Sequence, residues 1–229
     1  MAPRPRAAQA VENAYQQLRD DIVSGRLTAN QRLVEADLTE SLGVSRATIR
    51  AALAKLDHDG LIVREYNHGA RVRMVTEDEA VEIVQARSAL EALAAHHAAL
   101  NATDEDIADL RAIRAEMPKL IAQGDLLGYS ECNSRLHARI IVASRHAIAQ
   151  RLITDLKAQM VRFQYRTILV PGRSKQSLAE HTAVVKAIAA RDPEAAEAAM
   201  RHHLRCVATT LSQTTGAQEQ HARDARQAR

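Results

Sequence analysis

Asn133 and His137 lie four residues apart, a spacing that sets both side chains on one face of a helix. His181 and His203 fall in two later helical stretches. An amide oxygen and three imidazoles drawn from three helices of a bundle could converge as a divalent-metal site, because these are the donors that zinc-like ions accept. The alternative is histidines hydrogen-bonded singly on helix faces, since the chain carries ten in 229 residues and an i, i+4 pair is unspecific. His202 projects about 100° away from His203 on a helix and is the poorer candidate of the two.

A second constellation sits in residues 37 to 53, DLTESLGVSRATIRAAL. Leu38 and Leu42 share one helical face, Gly43 permits a tight turn, and Ser45 caps a second helix that turns Ile49 and Leu53 inward. Arg46 and Arg50, at i and i+4, then project together near the start of that helix, where a recognition helix meets bases and phosphates in a major groove. Helical hairpins with a glycine turn also occur in ordinary bundles, so the flanking elements decide. Residues 9 to 24 repeat apolar positions at Val11, Ala14, Tyr15, Leu18, Ile22 and Val23. After Gly60, LIVREYNHGARVRMV reads as two strands around Asn67, His68 and Gly69. Three helices and a hairpin make a winged helix-turn-helix.

The rest of the chain must position the histidines. A Thr76-x-x-Glu79 pattern starts a new helix and marks a domain boundary. Six helices follow, over 78–100, 104–123, 126–144, 147–170, 174–191 and 193–214, with Pro118 expected to kink the second and Pro193 opening the last. The fold class is mostly α. Residues 1–8 are expected to be a flexible arm, 9–75 the winged helix, 76–215 an all-α six-helix bundle, and 216–229 a flexible tail. A formal net charge of +3 permits nucleic-acid binding without demanding it. No apolar run reaches 18 residues and no basic-then-apolar leader is present, so a cytoplasmic protein without membrane partners is expected. Cys132 and Cys206 lack metal-motif spacing and read as reduced thiols.

SGRLTANQRLVEADLTESLGVSRATIRAALAKLDHDGLIVREYNHGARV resembles the N-terminal domain of GntR-family bacterial transcription regulators, which bind palindromic operator DNA as dimers. The resemblance implies DNA contacts for Ser45, Arg46, Thr48 and Arg50 in the recognition helix and for His68, Gly69 and Arg71 in the wing. Ala47-Thr48 departs from the Thr-Pro common in the family. NSRLHARIIVAS and EHTAVVKAIAARDPEAAEAAMRHHL are similar to the FCD effector domain of the FadR-type branch, in its six-helix, VanR-like form. Many FCD domains bind zinc, nickel or a similar ion through an Asp-x-x-x-His pair and two later histidines. His137, His181 and His203 match those histidines, and Asn133 stands at the aspartate. A neutral amide is a weaker ligand than a carboxylate and leaves the site about one unit more positive, which favours an anionic effector.

These readings predict a homodimeric, ligand-responsive transcription regulator, most simply a repressor, that responds to a small carboxylate at a metal site. Arg87 matches an R-x-x-x-E pattern and has two open roles, an effector carboxylate or Glu91 one turn on. Arg162 and Arg166 share a helical face and could line the pocket or face solvent, of which solvent is the preferred reading. Two other functions compete: a metal-sensing DNA-binding protein with no organic effector, and a metal-dependent hydrolase using three histidines and an open position. No general base is positioned for the hydrolase and it would leave the winged helix unexplained, so the chain is read as not an enzyme.

Overall fold

In a computed structural model of the chain, residues 5–65, 69–160, 163 and 166–227 are described. They form nine helices and three short strands in two compact units. One unit ends at Val75 and also takes in the stretch that begins at Lys157; the other starts at Thr76, stops at Leu156 and resumes at Phe163.

In the first unit, α1 (Pro5–Val23) buries Ala14, Tyr15, Leu18 and Ile22 along one stripe. α2 (Glu35–Leu42) ends at Gly43, whose φ of 63° is a left-handed conformation that would cost a residue with a Cβ about 1–2 kcal/mol. α3 (Arg46–His58) is capped by Ser45, whose hydroxyl accepts from the Thr48 amide at 3.1 Å. Its inner face of Ile49, Ala52, Leu53 and Leu56 is buried, and each of the larger side chains contributes about 2 kcal/mol by leaving water. β2 (Ile62–Glu65) pairs antiparallel with β3 (Gly69–Val72), Val63 lying opposite Arg71. A third strand, β1 (Arg32–Leu33), closes the other edge of β3 with Leu33 buried opposite Ala70. Two residues carry no readable period, so the sequence predicts only the hairpin. The end of α7 (Ala147–Gln159) completes this unit: Ala158 joins its apolar cluster and Gln159 accepts from Arg73 at 2.9 Å.

The second unit has no strand among its described residues and is built from α4 (Glu77–Asn101), α5 (Asp104–Gln123), α6 (Leu126–Ala143), the body of α7, α8 (Arg173–Ala189) and α9 (Pro193–Gln227). Thr76 caps α4 by accepting from the Glu79 amide. The buried face of α4 is largely alanine (Ala92, Ala95, Ala98 and Ala99), so α9 and α6 can approach its backbone closely. The core is filled by Leu110, Met117, Tyr129, Leu136, Ile140, Val184, Ile188, Met200 and Leu204. α5 runs through Pro118 to Gln123. No helix among the described residues is long and apolar enough to cross a membrane.

Four expectations are corrected here. Residues 5–8, expected within a flexible arm, are helical because α1 starts at Pro5: proline suits a first helical turn, and Arg6, Ala7, Ala8, Gln9 and Ala10 favour helix. The tail over 216–229 is helical as far as Gln227, since beyond Gly216 it is dominated by Ala, Gln, Glu and Arg. The helix expected over 147–170 stops at Gln159, and a turn through Pro171 and Gly172, the latter at φ 81°, leads into α8. Arg166 does not face solvent: it donates to Glu77 at 2.7 Å with 19% of its side chain exposed and lies over the Phe163 ring. Arg162 lies outside the described residues.

Asp106 ties the start of α5 to α6. Its carboxylate accepts from the Thr103 amide while Thr103 accepts from the Asp106 amide, a reciprocal capping box. Arg139 and Arg145 reach the same carboxylate at 2.8 and 2.7 Å. Burial pushes the carboxyl pKa up, but the Thr103 hydrogen bonds and the two guanidinium charges outweigh it and hold the group below the usual range. A depressed folded-state pKa stabilises the fold above the unfolded value near 3.9, and that contribution is lost as pH falls through the folded value. Asp106→Asn is therefore expected to cost about 1–3 kcal/mol at pH 7 in urea unfolding. The gap from wild type should narrow below about pH 4.

Candidate functional site

Three imidazoles meet inside the bundle. His137 comes from α6, His181 from α8 and His203 from α9, with exposures of 3%, 0% and 3%. Each rides on an apolar stripe: His181 shares its face with Val184, Val185 and Ile188, and His203 follows Ala196 and Met200. The helices are placed by those neighbours, and the histidines follow. His137 Nε2 lies 3.2 Å from His181 Nε2, which lies 3.3 Å from His203 Nε2. One nitrogen from each ring falls within 4.8 Å of those from the other two.

Two carboxylates hold the outer edges of the rings. Glu91 Oε2, on α4, lies 2.6 Å from His137 Nδ1, and Glu180 Oε2, on α8, lies 2.7 Å from His203 Nδ1. Behind each stands an arginine. Arg87 donates to Glu91 Oε1 from Nε at 2.9 Å and Nη2 at 2.7 Å, and Arg173 donates to both Glu180 oxygens at 3.2 and 2.8 Å. Ionised carboxylates only accept, so Nδ1 of both rings is the donor and Nε2 is the atom turned inward. Burial, then the neighbouring rings of His203 and His137, push the His181 pKa far below its ordinary value. Burial lowers His203 to about 4, against an opposing pull from Glu180. Burial raises Glu180 as well, but the hydrogen bonds from His203 and Arg173 prevail and keep it below the ordinary range.

The donor set fits a divalent ion. Nitrogens bound to tetrahedral zinc at about 2.05 Å lie about 3.3 Å from each other, which is the spacing of the two measured Nε2 pairs. His181 Nδ1 is buried without a hydrogen-bond partner, so this ring is held by packing and by its Nε2 contacts to the other two histidines. Carboxylate–histidine pairs of the kind made by Glu91 and Glu180 are what orient ligating imidazoles.

The other expected site residues are placed as follows. Asn133 is half-buried one turn before His137, and no hydrogen bond joins it to the cluster among the described residues. Arg87 takes the Glu91 pairing of its two open roles. Ser45 and Thr48 are exposed and half-buried, and their hydroxyls lie 2.9 Å apart within the α3 cap. Arg46 and Arg50 are exposed on α3, and Arg50 Nε donates to Glu35 at 2.8 Å while remaining 65% exposed. Gly69 opens β3 with φ 85°, and Arg71 donates to the Asn30 carbonyl at 3.2 Å. His68 lies outside the described residues.

Sequence reasoning missed Glu180 and Arg173, and it saw Glu91 only as a partner for Arg87. A usable signal was present, because a buried ligating imidazole needs an acceptor for its second nitrogen and Glu180 precedes His181 directly.

Residues 10–72 match the model of the bacterial regulatory proteins of the gntR family, and residues 82–205 match the FCD domain. The chain belongs to the GntR family. It is a transcription regulator with a winged helix-turn-helix and an FCD domain. Among curated relatives, a Paenarthrobacter nicotinovorans protein provisionally described as a D-xylose utilization operon transcriptional repressor is 29% identical over 200 residues, covering 86% of both chains. An Escherichia coli (strain K12) protein provisionally described as an L-lactate dehydrogenase operon regulatory protein is 30% identical over 225 residues, covering 86% of this chain and 84% of that one. The solved structure of E. coli McbR/YncC matches with a TM-score of 0.71 at 21% identity, over 90% of this chain and 98% of that chain, which shows a shared fold.

If Glu91 and Glu180 orient the ligating rings, Glu91→Gln and Glu180→Gln should each weaken zinc binding by about 10–100-fold. Competition titration with a chromophoric chelator measures this. Unchanged affinity in both variants would show that the carboxylates do not support a metal.

Proposed function

We propose that this GntR-family chain is a ligand-responsive repressor that binds a pseudo-palindromic operator as a cytoplasmic homodimer, with a divalent ion, zinc or nickel, and a small carboxylate at the three-histidine centre. The observation that carries the reading is the convergence of three imidazole Nε2 atoms, two of them from rings backed by a carboxylate. His137, His181 and His203 would hold the ion, with Asn133 as the neutral neighbour on the same face of α6. A bound divalent ion supplies a Lewis acid for an anionic oxygen.

The chain's own residues favour an anion beside it. Arg173 is 4% exposed, and its Nε is buried without an acceptor after Nη1 and Nη2 are spent on Glu180. A buried guanidinium N–H without a partner is costly, and a carboxylate oxygen relieves that cost. Arg87 uses Nε and Nη2 on Glu91 and is proposed as a second contact for the acid through Nη1. The relative named for an L-lactate dehydrogenase operon points toward the same ligand class.

On the DNA side, Arg46 and Arg50 are proposed to read base edges from α3. Ser45, Thr48, Gly69, Arg71 and His68 are proposed to contact the backbone and the minor groove. The acid can release the operator only by binding the DNA-free state more tightly than the DNA-bound state, so operator DNA must weaken acid binding by the same factor.

Elemental analysis of the purified protein should find about one divalent ion per chain, and a small carboxylic acid should raise the melting temperature only when the ion is present. Absence of metal together with a metal-independent acid would overturn the metal-anchored site. Arg46→Ala and Arg50→Ala should each weaken operator binding by about 1–3 kcal/mol while changing unfolding stability by no more than about 0.5 kcal/mol. Fluorescence anisotropy with labelled operator reads the first and urea unfolding the second. Operator binding at the wild-type level in both variants would remove α3 from the interface.

A further inference from the structure

A second group of metal-capable side chains lies beside the three-histidine centre and shares only Glu180 with it. His202 and Cys206 are four residues apart on α9, so they share a face, and His202 Nε2 lies 3.6 Å from Cys206 Sγ. Glu180 reaches the same place from α8, and one ligand atom from each of the three falls within 4.8 Å of the other two. His202 is exposed, and Cys206 and Glu180 are half-buried, so an ion can enter from solvent. The other thiol, Cys132, is buried and donates to the Ile113 carbonyl at 3.2 Å, away from this group.

We propose that Glu180, His202 and Cys206 form a second, solvent-accessible divalent-metal site with one sulfur, one nitrogen and one oxygen donor. A mixed thiolate, imidazole and carboxylate set suits a borderline-soft ion such as zinc and disfavours magnesium or calcium, which prefer all-oxygen shells. Three protein ligands leave a coordination position open to water. The Cys206 thiol proton leaves to solvent as the ion binds, because the thiolate is the ligand.

Glu180 connects this site to the buried one. Its Oε2 already accepts from His203 Nδ1, and both of its oxygens accept from Arg173. An ion drawing on that carboxylate competes with His203, so filling the outer site loosens the orientation of one imidazole of the inner cluster. The coupling is reciprocal. The outer site does not depend on the inner one holding metal.

Cobalt(II) titration of the reduced full-length protein tests the proposal, since only a sulfur ligand produces the near-ultraviolet thiolate-to-cobalt charge-transfer band. The band is expected in wild type and in Cys132→Ser, absent in Cys206→Ser, and shifted to at least about tenfold higher cobalt in His202→Ala. His181→Ala, which dismantles the three-histidine cluster, should keep the band; a loss of visible cobalt absorption in that variant alone reports on the buried centre. No charge-transfer band in wild type, or a band that survives in Cys206→Ser, overturns the second site while leaving the three-histidine reading to stand or fall on its own test.

Discussion

Three buried imidazoles meet with their Nε2 atoms held 3.2 and 3.3 Å apart, in an interior where little solvent screens polar groups. The bundle accepts that arrangement because each of two rings is tied from outside by a carboxylate, and each carboxylate by an arginine. The chain of Arg87, Glu91 and His137 enters from α4 and α6; the chain of Arg173, Glu180 and His203 enters from α8 and α9. Charge is balanced within each chain, so two ionised carboxylates can be kept largely out of water. Removing one member would strand its neighbour, which makes the six residues a single unit in energetic terms.

Such a centre requires helices that come close together, and the alanine face of α4 provides the room. Ala92, Ala95, Ala98 and Ala99 add little volume, so α9 and α6 pack near the α4 backbone while Glu91 still extends to His137. Larger residues carry the hydrophobic free energy elsewhere, in Leu110, Met117, Leu136, Ile140 and Ile188. The division leaves a buried polar cluster inside a bundle core that is mostly apolar. The winged-helix unit follows the opposite plan, with its polar groups outward: α3 turns Ile49, Leu53 and Leu56 into the core and leaves Arg46 and Arg50 exposed.

Much of this was legible in the chain. Periodicity, the Gly43 turn, the Ser45 cap, the Thr76 cap and Pro193 mark most helices, because capping and burial act over one or two turns. The positions of His137, His181 and His203 on helix faces follow from the same arithmetic. The failures fall where local rules lose their grip. β1 is two residues long and exists because β3 had a free edge; α7 stops at Gln159, ahead of the turn into α8; and α1 and α9 extend past the expected ends because helix-forming residues continue there.

Local sequence alone determined a winged helix-turn-helix followed by six helices, with two arginines outward on α3 and three histidines on inward-facing stripes. Only the tertiary structure decided that the three Nε2 atoms converge, that Glu91 serves His137, and that Glu180, twenty-three residues before His203, serves that ring while also lying within reach of His202 and Cys206. The reason is physical. Helical period fixes the direction of a side chain relative to its own axis, whereas a meeting point between helices depends on how side-chain volumes set the distance and rotation of each axis against the next.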